Sequence, residues 1–188
     1  MTTANQLTLL RIPLAAAVFL ALLCRTPVIH PAALGLFLAA LATDALDGWL
    51  ARKTGTVSDF GKIVDPVADQ ILILGALIAL LKHRELGVPF WGVFLTLARE
   101  LLMGGLRAVT ATKGGIIGAQ RWGKWKMAIQ SAAVALMMVI LILSEHLALP
   151  AWLMALPWHL TVLCALAAWI SAALYYAQAR GLLKSSWS

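Results

Sequence analysis

Long apolar segments restrict what this 188-residue chain can fold into. Hydrophobic residues make up 62% of the sequence, charged residues make up 12%, and the mean hydropathy is +0.88. A bilayer core about 30 Å thick is crossed by roughly 20 apolar residues in a helix, because a helix satisfies its own backbone polar groups. The sequence therefore predicts an all-α integral membrane protein with six transmembrane helices and a single domain over residues 1–188. The six segments are approximately 6–24, 31–50, 64–82, 88–108, 126–146 and 151–177.

Basic residues are distributed unevenly between the two predicted sides of the membrane. If the N-terminus faces the cytoplasm, the inside connections and the C-terminal tail carry ten Lys and Arg residues, and the outside connections carry three. This bias predicts a multi-pass protein of the cytoplasmic (inner) membrane with both termini in the cytoplasm. The basic residues flank membrane segments and form no soluble module, so no nucleic-acid partner is expected.

Acidic residues are concentrated in one predicted hairpin. Five of the eight lie between residues 44 and 69, where the second segment ends and the third begins. Residues three or four apart share one face of a helix, so each helix of the hairpin offers two carboxylates beside a glycine. Packing the two helices together would gather four carboxylates next to open backbone that a bulky ligand can approach. These residues are Asp44, Asp47 and Gly48 on the first helix, and Gly61, Asp65 and Asp69 on the second.

Pro66 leaves two descriptions of the second helix open, because proline has no backbone N–H. Either Asp65 caps a helix with Pro66 in its first turn, or a helix that begins near Gly61 bends at Pro66. Asp65 and Asp69 stay close together in both cases.

Four carboxylates at a membrane interface require compensating positive charge. Arg52 and Lys53 follow closely, but two cations cannot neutralise four acids. Oxygen ligands without His or Cys favour hard divalent cations, Mg²⁺ or Mn²⁺. Two such ions would stabilise the attacking and leaving oxygens of a phosphoryl transfer. The same spacing is also compatible with an acidic hairpin paired to basic loops, or with the cation pathway of a non-enzymatic membrane transporter.

The motif is longer than the two aspartate pairs. Residues 44–69 read DALDGWLARKTGTVSDFGKIVDPVAD. They match the signature D-x2-D-G-x2-A-R-x8-G-x3-D-x3-D of the CDP-alcohol phosphatidyltransferase family at every fixed position, a coincidence expected on the order of once in 10¹⁰ random placements. The stretches NQLTLLRIPLA, DPVADQILI, ARELLMGGLRA and GKWKMAIQ also resemble members of this family that use glycerol 3-phosphate. The likeness extends from Asn5 to about Gln130, with Ala4 standing where the family usually has proline.

The resemblance implies a fold and a reaction. The fold is that of the CDP-alcohol phosphatidyltransferases. The reaction transfers the phosphatidyl group of CDP-diacylglycerol to sn-glycerol 3-phosphate, giving phosphatidylglycerophosphate and CMP, in phosphatidylglycerol and cardiolipin synthesis. The resemblance also implies an active site on the cytoplasmic face, contact with membrane lipids and a homodimer. The alternative is an enzyme of the same fold that uses inositol phosphate or serine as its acceptor, because the motif residues do not determine which acceptor binds.

The resemblance further implies residue roles on the donor side. Asp69 would be both a metal ligand and the general base that takes the proton of the attacking hydroxyl. The ligands implied for the two Mg²⁺ or Mn²⁺ ions are Asp44, Asp47, Asp65 and Asp69. The residues implied to bind CDP-diacylglycerol are Asn5, Thr8, Gly48, Ala51, Arg52 and Ser58.

An acceptor that carries its own phosphate needs a basic pocket apart from the metals. The GGLR and GKWK stretches imply Arg107, Lys124 and Lys126 as the glycerol phosphate ligands. Arg99, deep in apolar sequence beside Glu100, is explained by an internal ion pair, a snorkelling side chain or a substrate contact.

Two further expectations concern residues without an implied catalytic role. Gly104 and Gly105 are expected to permit close packing of helices. The four histidines are expected to be separated, mostly in outside connections, and to form no metal cluster. They are His30, His83, His146 and His159.

Overall fold

The computed structural model of the chain is built from helices. The structure describes residues 3–54, 59–112 and 121–184, and it describes side chains for residues 11–43, 66–107 and 122–178. Within these ranges the chain forms six α-helices, one short 3-10 helix (Arg84–Leu86) and no strand. The prediction of an all-helical chain with six long helices is confirmed. The α-helices are α1 (Thr3–Leu23), α2 (Ile29–Thr54), α3 (Asp59–Leu80), α4 (Phe90–Thr112), α5 (Arg121–Ser144) and α6 (Ala151–Lys184).

Two stretches of the described residues are long and apolar enough to cross a membrane, Trp122–Ser144 in α5 and Ala151–Gln178 in α6. Three other helices contain shorter apolar stretches, Arg11–Leu23, Ile29–Thr43 and Pro66–Leu80. Each of these three stretches is bounded by a limit of the described side chains, at residue 11, 43 or 66. The apolar helices agree with a membrane protein, and the number of six spans stays a prediction.

The helices pack in two groups that share a core. α1 contacts α2 and α3, α6 contacts α4 and α5, and α2 and α3 join the groups through α5. Small buried side chains such as Ala15, Ala33 and Ala76 allow helix backbones to approach closely. The tightest such contact is at Gly92 of α4, where an added Cβ would lie 2.9 Å from Cγ2 of Thr161 on α6.

The structure decides between the two descriptions of the third segment. α3 begins at Asp59 and contains Pro66 as an interior residue. Pro66 therefore does not mark the start of the helix, and it cannot donate a hydrogen bond to the carbonyl four residues earlier.

The expectation for Gly104 and Gly105 is not met in the part of the chain that the structure describes. Both glycines are exposed on α4, and no described atom of a neighbouring element lies within 4 Å of a Cβ built at either position. The apolar context of a glycine does not specify which face of the helix meets a neighbour.

The expectation that the histidines are separated is wrong for His30 and His83. Their rings meet edge to face with centroids 5.1 Å apart, and both side chains are buried. His30 Nδ1 lies 2.6 Å from Glu145 Oε1. The ends of α1, α3 and α5 and the start of α2 therefore meet at one end of the bundle, which we call the histidine end. The motif hairpin lies at the opposite end, which we call the motif end.

Candidate active site

The motif is divided between two helices joined by a short connection. Residues 44–52 lie on α2 and residues 61–69 lie on α3, so the helical spacing assumed for both aspartate pairs is confirmed for the backbone. Asp69 is the one motif aspartate whose side chain is described, and the gathering of four carboxylates stays a prediction. The other predicted donor-side residues have side chains outside the described residues, and they are Asn5, Thr8, Asp44, Asp47, Gly48, Ala51, Arg52, Ser58 and Asp65.

Asp69 is held by a cation from another helix. Nη1 of Arg11 on α1 donates a hydrogen bond to Oδ1 of Asp69 on α3 over 2.8 Å. The Arg11 side chain is 2% exposed and the Asp69 side chain is 20% exposed. Charge-assisted bonds of this kind are strong, and a buried guanidinium requires one. Arg11 therefore orients a carboxylate that is still reached by solvent.

Arg11 is a site residue that the sequence reasoning missed. That reasoning looked for compensating cations only on the second and third segments. The sequence around Arg11 did contain a signal, because an arginine inside an apolar segment needs an ionic partner. Its spacing was also informative: Asn5, Thr8 and Arg11 recur at intervals of three, the spacing of one helical face.

The basic residues implied for the acceptor take different positions on α4 and α5. Lys126 is 5% exposed, and its Nζ donates to Oε1 of Glu100. Lys124, two residues earlier on the same helix, is exposed to solvent. Arg107 is partly buried and makes interactions of its own. The helix separates the two lysines by roughly 200°, since each residue turns the chain by about 100°.

Arg99 and Glu100 form an internal ion pair, as one of the three interpretations predicted. Arg99 Nη1 donates to Glu100 Oε2 over 2.8 Å, and both side chains are buried. The same guanidinium joins α4 to α6, because Nε donates to the Ala168 carbonyl at 2.8 Å and Nη2 donates to Ser171 Oγ at 3.0 Å. Every nitrogen of this guanidinium is therefore engaged within the protein.

Basic side chains are grouped around Glu100. Arg99 and Arg107 both lie close enough to Lys126 to repel its ammonium group, and Glu100 attracts it. Arg107 also makes further interactions of its own. Basic side chains grouped in this way can attract an anionic ligand.

The chemistry of the motif side chains fits hard divalent cations. The predicted ligand set consists of carboxylate oxygens alone, and Asp69 keeps part of its carboxylate accessible. Among the described side chains no group of three His, Cys, Asp or Glu is arranged to hold a metal ion, and three of the four motif carboxylates lie outside those residues.

These features define an all-helical protein of the membrane type, with Asp69 bound to Arg11 and with Glu100 bound to Arg99 and Lys126. The chain belongs to the CDP-alcohol phosphatidyltransferase family, whose sequence profile matches residues 1–182.

Several curated proteins are similar to this chain. One from Bacillus subtilis is 40% identical over 113 residues, which is 60% of this chain and 58% of that protein. One from Mycoplasma pneumoniae is 42% identical over 99 residues, covering 53% of this chain and 43% of that protein. One from Rickettsia bellii is 33% identical over 136 residues, covering 72% and 74%. All three are named CDP-diacylglycerol–glycerol-3-phosphate 3-phosphatidyltransferase. The first two alignments thus span about half the length of those relatives.

Proposed function

We propose that this protein transfers the phosphatidyl group of CDP-diacylglycerol to sn-glycerol 3-phosphate and releases CMP. The observation that carries the proposal is the placement of the complete family motif on α2 and α3, with Asp69 oriented by Arg11. The names of the relatives agree with this activity.

In the proposed reaction, the primary hydroxyl of glycerol 3-phosphate attacks the phosphorus of the phosphatidyl group. A new P–O bond forms, the bond to the bridging oxygen of CMP breaks, and the electron pair leaves with CMP. Asp69 takes the proton of the attacking hydroxyl, as a general base within hydrogen-bond reach would. Arg11 acts through Asp69, because its hydrogen bond sets the orientation of that carboxylate.

Asp44, Asp47, Asp65 and Asp69 would hold two Mg²⁺ or Mn²⁺ ions. When bound, such ions stabilise negative charge on the attacking and leaving oxygens. Asn5, Thr8, Gly48, Ala51, Arg52 and Ser58 are the proposed contacts of the cytidine diphosphate group.

The acceptor phosphate would bind at the basic residues of α4 and α5. The grouping of Arg99, Arg107 and Lys126 around Glu100 supports an anion at this position. Arg107 and the exposed Lys124 are the proposed direct ligands. Lys126 is already paired with Glu100. We therefore propose that Lys126 contributes to phosphate binding through its charge as well as through contact.

The proposed setting is a single-domain, six-span homodimer of the cytoplasmic (inner) membrane. The lipid donor would enter from the bilayer, and glycerol 3-phosphate would reach the motif end from the cytoplasm. The apolar helices and the positive-inside distribution of Lys and Arg support this arrangement.

An acceptor panel tests the activity. Membranes containing the protein receive CDP-diacylglycerol, Mg²⁺ or Mn²⁺, and labelled glycerol 3-phosphate, inositol phosphate or serine, and both CMP and labelled lipid are measured. We expect CMP release and labelled lipid with glycerol 3-phosphate, and loss of both when the metal is chelated by EDTA. Labelled lipid formed only with serine or inositol phosphate would reject glycerol 3-phosphate as the acceptor. Absence of CMP release with every acceptor would reject the transferase activity and leave the cation transporter as the remaining interpretation.

A further inference from the structure

A narrow crevice lies between α3, α4 and α5, and Gln70, the residue after Asp69, is part of its lining. It contains about 180 Å³ of empty space, including its open mouth. As the side chains stand, its walls are too close to admit a water molecule, so a ligand group enters only if a flexible lining side chain such as Met127 shifts. Its polar lining consists of Gln70, Thr96, Glu100, Lys126 and Gln130.

Three of these polar side chains already have partners in the protein. Thr96 Oγ1 donates to the Gly92 carbonyl of its own helix over 2.9 Å. Glu100 and Lys126 bind each other, and Glu100 also accepts from Arg99. These contacts account for the burial of three polar groups.

Gln130 is different. Its side chain is 1% exposed, and its Nε2 has no hydrogen-bond partner. A buried N–H without a partner costs about 1–3 kcal/mol relative to a paired one. An oxygen atom of a ligand in the crevice would provide the missing acceptor.

The surroundings indicate which kind of oxygen fits. Glu100 and Lys126 are paired with each other at the wall, and half of the remaining lining is apolar, namely Ile73, Leu74 and Met127. A phosphate is too large and too highly charged for this space, whereas an alcohol hydroxyl is small and neutral and accepts a hydrogen bond.

The position of the crevice indicates which hydroxyl it is. Gln70 directly follows Asp69, the proposed base for the attacking hydroxyl, and Lys126 belongs to the basic group proposed for the acceptor phosphate. In glycerol 3-phosphate, the atoms between the attacking hydroxyl and the phosphate include one secondary hydroxyl.

We propose that Gln130 Nε2 donates a hydrogen bond to the secondary hydroxyl of the acceptor, and that the crevice selects polyol phosphates carrying this hydroxyl. The proposal rests on the proposed function. It makes Gln130 a residue that determines acceptor specificity, a property that the aspartate motif does not determine.

Kinetics with two acceptors test the assignment. The second acceptor is 3-hydroxypropyl phosphate, which keeps the attacking hydroxyl and the phosphate and lacks the secondary hydroxyl. For the wild-type protein we expect kcat/KM to be about tenfold higher with glycerol 3-phosphate, the effect of one hydrogen bond to a buried donor.

The variant Gln130→Met removes the donor at nearly constant volume. We expect its kcat/KM to fall about tenfold with glycerol 3-phosphate, mainly through KM, and to change less than about twofold with 3-hydroxypropyl phosphate. Gln130→Leu is the second variant if the methionine variant does not fold. The control is Thr161→Val on α6, a buried residue outside the crevice whose hydroxyl is bonded to the Pro157 carbonyl, and it should keep the wild-type preference between acceptors.

The outcomes separate this inference from the proposed function. Equal use of both acceptors by the wild type, or an equal loss with both acceptors in the Gln130 variants, would overturn the role of Gln130 and leave the transferase intact. No CMP release by the wild type with either acceptor would overturn the transferase itself.

Discussion

Buried polar groups occur in two regions of this bundle, and most are satisfied in different ways. At the histidine end, carbonyls at and just after the end of α1 receive side-chain donors: His83 Nε2 binds Leu22 O, Lys82 Nζ binds Leu23 O, and His30 Nε2 binds Cys24 O. His30 Nδ1 also lies 2.6 Å from Glu145 Oε1. Toward the motif end, charged side chains bind one another. Arg11 of α1 binds Asp69 of α3, and Glu100 of α4 binds Arg99 of the same helix and Lys126 of α5.

The difference indicates what each region does. Helix C-termini leave carbonyls without intrahelical partners, so basic side chains that bind them close the end of the bundle. Each region also holds a buried atom without a hydrogen-bond partner, Gln130 Nε2 toward the motif end and Glu145 Oε2 at the histidine end. The motif end is distinguished by the partly exposed carboxylate of Asp69, which belongs to the family motif and is held by Arg11. We therefore expect ligand binding at the motif end and a structural role for the histidine end.

The strongest test removes the proposed base. Asp69→Asn keeps the size of the side chain and removes its charge, and we expect a loss of transferase activity of about 10³-fold, the scale of general-base catalysis. CMP release is measured in purified membranes. The control, Asp59→Asn, changes an acid of the same helix at a variable position of the motif, and it should retain most activity.

Removing the partner of Asp69 tests whether the motif side depends on paired charge. Arg11→Met removes the buried cation that is bonded to Asp69, and we expect a loss of about 3 kcal/mol in the free energy of unfolding, measured in mixed micelles. The double variant Arg11→Met with Asp69→Asn should regain part of this loss, because the carboxylate that Arg11 compensates is then absent as well. Additive losses in the double variant would show that the two side chains do not interact.

Glu100 is the common partner of two buried cations. Glu100→Gln preserves shape and removes the charge, so we expect a loss of about 2 kcal/mol in the free energy of unfolding, the scale of hydrogen bonds to charged groups. Glu85→Gln is the matched control at the histidine end, where the side chain is 52% exposed and lies 3.3 Å from His83 Nδ1. That substitution should change stability by roughly 0.5 kcal/mol or less. Equal losses would remove the distinction between the two regions.

The histidine end should affect stability without affecting chemistry. His30→Leu loses the bonds to the Cys24 carbonyl and to Glu145, and we expect a loss of about 1 kcal/mol in the free energy of unfolding with kcat unchanged. His146→Leu is the control, because His146 is exposed and its Nδ1 bonds only to the Ile142 carbonyl of α5 among the described contacts. A tenfold fall in kcat for His30→Leu would contradict a purely structural cap.

Helix positions were predictable from the sequence, but helix ends were less so. Each predicted segment overlaps an observed helix, because runs of about 20 apolar residues define such helices locally. The boundaries differ where a helix continues into polar sequence. The second segment was predicted to end at 50 and α2 ends at Thr54, and the sixth was predicted to end at 177 and α6 ends at Lys184. Hydropathy records where the apolar residues stop, whereas backbone hydrogen bonding continues beyond them.

The sequence by itself determined the helical composition, the two aspartate pairs and the family, because composition, helical period and motif spacing are local properties of the chain. The tertiary structure decided which cation meets which anion. Arg11 and Asp69 are 58 positions apart, and His30 and Glu145 are 115 positions apart. Such pairs form only when particular helix faces pack together, and side-chain packing between helices sets that choice. The same packing leaves Gln130 buried without a partner, which no spacing within the GKWKMAIQ stretch could have indicated.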